Sequence, residues 1–185
     1  MADLQIAEAK TLKWEGGYCN VVGDRGGETI FGIARNMHPK LSLWGIMDTY
    51  KKGFESFSKS HYKELEKQCL GNAEFKKQMD NFYKKEFWKI KGDCIESQEV
   101  ANALYDFAVN SGVSRAVKSI QEILGVAVDG SLGNKTLQAI NEKEGKELCN
   151  KLCDKRKAFF EAIAKKGQNA KFLNGWLNRV KDFYV

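Results

Sequence analysis

A chain of 185 residues that is 43% hydrophobic, 29% charged and 11% aromatic has material for one globular domain, or one with a small appendage. That apolar content excludes a disordered chain, and no apolar run approaches the ~20 residues of a membrane span. A net charge of +6 points to an anionic partner, whether nucleic acid, membrane surface or acidic wall polymer, and a solvated basic surface accounts for it equally well. The start, MADLQIAEAKTLKW, lacks a basic segment followed by an apolar one, so no secretory leader is expected. Five cysteines without a C-x-x-C pair indicate neither a zinc ribbon nor a thioredoxin-type site; Cys149 and Cys153, four apart, read as small core residues.

Residues 3–14 read as a helix that Asp3 can cap and Gly16-Gly17 end. Residues 18–32 are too glycine-rich for helix, whereas Tyr18, Val21, Val22, Ile30 and Phe31 suit a small hairpin; Ile33 to Asn36 open a helical turn that Pro39 stops. Helical propensity runs from Leu43 to Gln68 with a break at Gly53. Asn72 then caps a helix carrying Phe75, Met79, Phe82 and Tyr83. Gly92-Asp93 breaks the chain. EVANALYDFAVN forms a helix closed by Gly112, and Ser114 can cap the next, with Val117, Ile120, Ile123 and Leu124. Lys135–Asn141, a long amphipathic helix through Leu148, Leu152 and Phe160, and a last one around Trp176 complete a mainly α chain with one small β element.

Chemistry concentrates between Trp14 and Ile33, which holds six of the seventeen glycines together with Glu15, Asp24 and Glu28. Glu15, at or just past a helix C-terminus and beside Trp14, is in surroundings that favour the uncharged carboxyl a general acid needs; the alternative is a surface glutamate before a glycine stop. Asp24 could return across a cleft as the second carboxylate of a glycoside hydrolase, or shape the turn before Arg25-Gly26. Thr29 could position a water, or serve as a β-branched strand residue. Tyr18 and Glu28 stand beside these acids as substrate-binding candidates, Glu28 also being able to hold the loop's own amides. Asp106 and Asn110, four apart on a largely apolar helix, could line a polar cleft or tether a neighbouring loop. Tyr83, Phe87 and Trp88 could stack on sugar rings or fill the core. Two histidines, His38 and His61, give a metal cluster or a Ser-His-Asp triad little to work with, so no metal or cofactor is expected. Neither a phosphate loop nor a nucleic-acid motif occurs.

E-G-G-Y (Glu15 to Tyr18), D-x-G-G-E-T (Asp24 to Thr29) and F-G-I (Phe31 to Ile33), in this order, resemble glycoside hydrolase family 108, phage-type N-acetylmuramidases also described as secretion activator proteins. LYDFAVNSG (Leu104 to Gly112), the run from Ser119 to Ile140, and GWLNRV (Gly175 to Val180) are similar to the peptidoglycan-binding-type region that follows in that family. The departures are Val21, Val22 and Arg25, in a loop usually richer in Pro and Asp, and Ile30 in place of a polar residue.

The resemblance implies a lysozyme-like fold, with a catalytic region over 1–95 and a helical peptidoglycan-binding-type region over 96–185. It implies metal-free cleavage of the glycan strands of peptidoglycan with Glu15 as general acid, and Asp24 and Thr29 assisting. Its partners are then wall glycans rather than nucleic acid, without stable membrane insertion. Synthesis is expected in the cytoplasm, with action on the wall after a holin-type release. The rival expectation is a wall-binding or secretion-associated protein without catalysis on the same fold.

Overall fold

The computed structural model describes residues 1–21 and 26–185, apart from the side chains of residues 167 and 168. The first helix, α1 (Leu4–Leu12), starts at the expected cap: Asp3 Oδ1 accepts from the Gln5 amide at 2.7 Å. It stops two residues short of Trp14, so Glu15 hangs on a turn, its amide donating to Leu12 O at 3.3 Å. Next comes a three-stranded antiparallel sheet in the order β1 (Tyr18–Asn20), β2 (Glu28–Ile30), β3 (Ile33–Ala34).

The third strand stands where a helical turn was expected, and the reason lies in Phe31 and Gly32. Both have positive φ, 47° and 76°, which is the requirement of a two-residue type I′ hairpin turn. The chain therefore folds straight back, with Ile33 opposite Ile30. Pairing of Tyr18 with Ile30 and of Asn20 with Glu28 puts Tyr18, Glu28 and Ile30 on one face of the sheet, and Cys19 and Thr29 on the other.

The chain divides into two compact units, residues 12–84 and residues 1–11 with 85–185. In the first, the sheet is joined by α2 (Leu43–Lys52), α3 (Tyr62–Gly71) and most of α4 (Ala73–Phe87). Gly53 ends α2, and Asn72 caps α4 by accepting from the Phe75 amide at 2.9 Å. Ile30, Ile33, Leu43, Met47, Leu65, Phe75 and Met79 form the core. Burial of Cys69 among them pushes its thiol up to about 12.

In the second unit α1 is followed, after two short 3₁₀ turns, by α5 (Gln98–Ser111), α6 (Val113–Leu124), α7 (Asn134–Asn141), α8 (Gly145–Ala164) and α9 (Leu173–Lys181). Every residue of α5 from Val100 to Ala108 is buried, so this largely apolar helix is surrounded by the others. Gly112 ends it at φ 89° and α6 begins at once, which places Ser114 inside the first turn of α6 and not at its cap. Gln121 on α6 secures the connector that follows, accepting from the Gly130 amide and donating to Asp129 and to Ser131 O. Cys149 and Cys153 are core residues, and Trp88 is also buried, its indole nitrogen donating to Asp93.

Candidate active site

Glu15 lies between the end of α1 and the start of β1, in a segment loosened by Gly16 and Gly17. Its carboxyl rests against the turn of the β2–β3 hairpin. A Cβ added at Gly32 would lie 2.6 Å from Glu15 Oε2 and 2.9 Å from the Tyr83 hydroxyl. Glycine is thus required there twice, by its positive φ and by the approach of these two oxygens. Tyr83, from α4, donates to Phe31 O at 2.6 Å and holds the turn in place. Tyr83 is 2% exposed and serves the hairpin turn, which leaves no open ring face for a sugar.

The Glu15 side chain opens into a cleft of about 260 Å³. Leu12, Phe31, Leu70 and Met79 supply its apolar wall; Lys63 and Glu66 from α3 supply its polar side, and Gly17 part of its rim. Lys63, Glu66 and Leu70 recur at i, i+3 and i+7, one stripe of the helix. An acid and a cation beside an apolar wall in one cleft suit a polyhydroxylated ring that carries both polar edges and apolar faces.

Among the sequence candidates, the structure brings Glu15 to this cleft and gives others different work. Asp24 lies outside the described residues. Thr29 is half-buried on the sheet face opposite Glu28, its hydroxyl donating to Gly27 O at 3.4 Å, and is not among the described residues that line the cleft.

Tyr18 and Glu28, taken as substrate-binding candidates, are corrected: both face the packed side of the sheet. The Tyr18 ring stands edge-on to Phe57 and Tyr62, and its hydroxyl donates to Glu28. Burial first, and then that carboxylate neighbour, push the Tyr18 phenol well above its ordinary range. Glu28 also pairs with Lys51 and, at 3.0 Å, with Arg35, so its oxygens are committed to joining β2 to α2 and to the segment after β3.

Asp106 is corrected in the same way. It has no exposed surface, and its carboxylate is shared by Arg179, at 2.7–3.1 Å, and Arg156, at 2.6 Å. A carboxylate so enclosed offers nothing to a sugar; its role is to join three helices. Asn110, half-buried one turn later, accepts from the Ser111 hydroxyl at 3.1 Å. Both belong to the unit that does not contain Glu15.

Sequence reasoning missed Lys63 and Glu66, which have no motif and sit in a stretch that reads only as amphipathic helix. The spacing of Lys63, Glu66 and Leu70 was the available signal, but nothing local says which helix faces Glu15. Among the described residues no group of three or more His, Cys, Asp or Glu could hold a metal ion, and no helix is long and apolar enough to cross a membrane.

A family model described as glycosyl hydrolase 108 matches residues 9–112, and one described as a predicted peptidoglycan domain matches residues 115–181. Among solved structures, the chain is similar to SagA of Brucella abortus, at 30% identity over 97% of this chain and 90% of that one, with a TM-score of 0.65. No curated protein matches it.

Proposed function

The chain belongs to the glycosyl hydrolase 108 family, and on that premise we propose that this peptidoglycan hydrolase is an N-acetylmuramidase with Glu15 as its general acid. The bond broken is the β-1,4 link between N-acetylmuramic acid and N-acetylglucosamine. Glu15 delivers its proton to the glycosidic oxygen as that bond lengthens, and positive charge develops on the sugar left behind. Asp24 stabilises that charge or orients the water that ends the reaction. The observation that carries this reading is the Glu15 carboxyl set against Gly32 and Tyr83 at the edge of a cleft. An acid there rests against a turn that requires glycine at position 32, and it faces open space of the size of a sugar ring.

The test is clearance of purified peptidoglycan by wild type and by Glu15→Gln, with the new reducing ends identified. Wild type is expected to clear and to leave muramic acid at the new reducing end, and Glu15→Gln to lose at least about 100-fold in rate, as removal of a general acid does. Equal clearing by both proteins, or glucosamine at the new reducing end, overturns the reading. A wall-binding protein without catalysis would bind sacculi and release nothing. Passage to the wall through a holin-type membrane lesion is part of the proposal, and fractionation before and after triggered lysis tests it.

A further inference from the structure

The general acid proposed above lies on irregular backbone, between a helix that ends at Leu12 and a strand that begins at Tyr18. Gly16 and Gly17 follow it directly. Proton delivery depends on placement to within a fraction of an ångström, and two adjacent glycines oppose that by their freedom of rotation. The backbone hydrogen bonds from Glu15 N to Leu12 O and from Phe31 N to Gly17 O restrain the segment, both at 3.3 Å and so at the weak end of the range. A further restraint is of another kind. The Tyr18 amide donates to Glu66 Oε1 at 2.8 Å, a charge-assisted bond from the rigid helix α3.

The fit around this bond is close. A Cβ added at Gly17 would lie 1.9 Å from Glu66 Oε1, so the carboxylate lies flat against the Gly17 backbone, where only glycine admits it. The other oxygen, Oε2, is held by Lys63 Nζ at 2.9 Å. The Glu66 side chain is 13% exposed, and so gives up most of its hydration for these two partners. The inward packing of α3 rests on Leu65 and Cys69, which need no carboxylate next to them.

We infer that Glu66 is a positioning residue for Glu15: its carboxylate clasps the Gly17–Tyr18 peptide and sets the direction in which the acid enters the cleft both side chains line. This rests on the reading of Glu15 as the acid. What the clasp needs is an acceptor oxygen at that place, whereas a carboxylate that stabilised the transition state or activated water would need its negative charge. The two roles separate on one substitution, since glutamine keeps the acceptor and loses the charge.

The experiment measures kcat and KM on soluble glycan fragments for wild type, Glu66→Ala, Glu66→Gln, Gly17→Ala and Glu15→Gln, with thermal midpoints alongside. Glu66→Ala is expected to lose about 10- to 100-fold in kcat with KM little changed, the effect of a misplaced catalytic group. Glu66→Gln is expected to restore kcat to within about 3-fold of wild type, because a neutral acceptor still takes the Tyr18 amide. Wild-type kcat in Glu66→Ala overturns the inference, and so does a Glu66→Gln as slow as Glu66→Ala, which would make the charge itself the requirement. Should Glu66→Ala not fold, Gly17→Ala takes its place: the added Cβ displaces the clasp, the same loss of kcat is expected, and an unchanged kcat overturns the inference. Glu15→Gln keeps the two readings apart. If it works at the wild-type rate, the acid assignment fails whatever the Glu66 variants do. If it is inactive while Glu66→Ala is fully active, only the clasp fails.

Discussion

Gly32 decides where the Glu15 carboxyl can be. Its φ of 76° and the 2.6 Å between an added Cβ and Glu15 Oε2 act on different properties, the first on stability and the second on the acid. Alanine in the left-handed region costs about 1 kcal/mol or somewhat more, whereas a methyl in the space of the carboxyl must push it aside. Gly32→Ala is therefore expected to lower the rate of peptidoglycan clearance at least about 10-fold while the protein still folds, the rate loss being that of a catalytic group moved by about an ångström. Clearance assays beside a thermal melt check this; a variant that melts early yet clears at the wild-type rate would show that the carboxyl does not need the space. Glu28 illustrates the opposite case. It stands among the acids of the glycine-rich stretch, but its partners Tyr18, Arg35 and Lys51 make it a structural joint of the sheet.

Helices of the unit formed by residues 1–11 and 85–185 are tied together by one carboxylate. Asp106 on α5 takes Arg156 from α8 and Arg179 from α9, with all three side chains almost wholly buried. Burial pushes the Arg156 guanidinium below its ordinary range against the pull of Asp106. Aromatic faces offset part of that cost: the rings of Phe107, Phe160 and Phe183 lie 5.3–5.8 Å from the Arg156 guanidinium carbon. Asp106→Ala would take from Arg156 and Arg179 the buried carboxylate they share, and a loss of about 3–5 kcal/mol in unfolding free energy is expected, read from denaturant unfolding. Loss of less than about 1 kcal/mol would mean that the rings alone support Arg156.

For the whole molecule the relevant quantity is charge. With thirty basic and twenty-four acidic residues, attraction to an anionic wall is expected to be long-ranged and screened by salt. Co-sedimentation with sacculi should weaken steadily from low ionic strength to about 0.5 M salt, where the screening length falls to a few ångströms. Binding that stays constant over this range would assign wall recognition to uncharged contacts. Retention on DNA at low salt would instead favour the sequence's other anionic candidate, nucleic acid.

Much of this protein can be read from its residues in order. Apolar spacing of 3.6 marks α4, α5, α6 and α8, and glycine or asparagine marks Gly53, Asn72 and Gly112 as boundaries, because helix formation and capping are local. The E-G-G-Y motif likewise leads to Glu15, since a short motif keeps an acid and its glycines together. Three things could not be read this way. The third strand depends on Phe31 accepting a positive φ, which Tyr83, fifty-two residues later in the chain, supports through its hydrogen bond to Phe31 O. The inward turn of Tyr18 and Glu28 depends on which face of a short sheet is covered by α2 and α3. Glu66 carries no motif at all, and it meets the Tyr18 amide forty-eight residues away only after α3 has packed. Local preferences decide which elements form and which acid stands at the loop; burial and long-range pairing decide which carboxylates stay open to a substrate and which are spent in holding the fold.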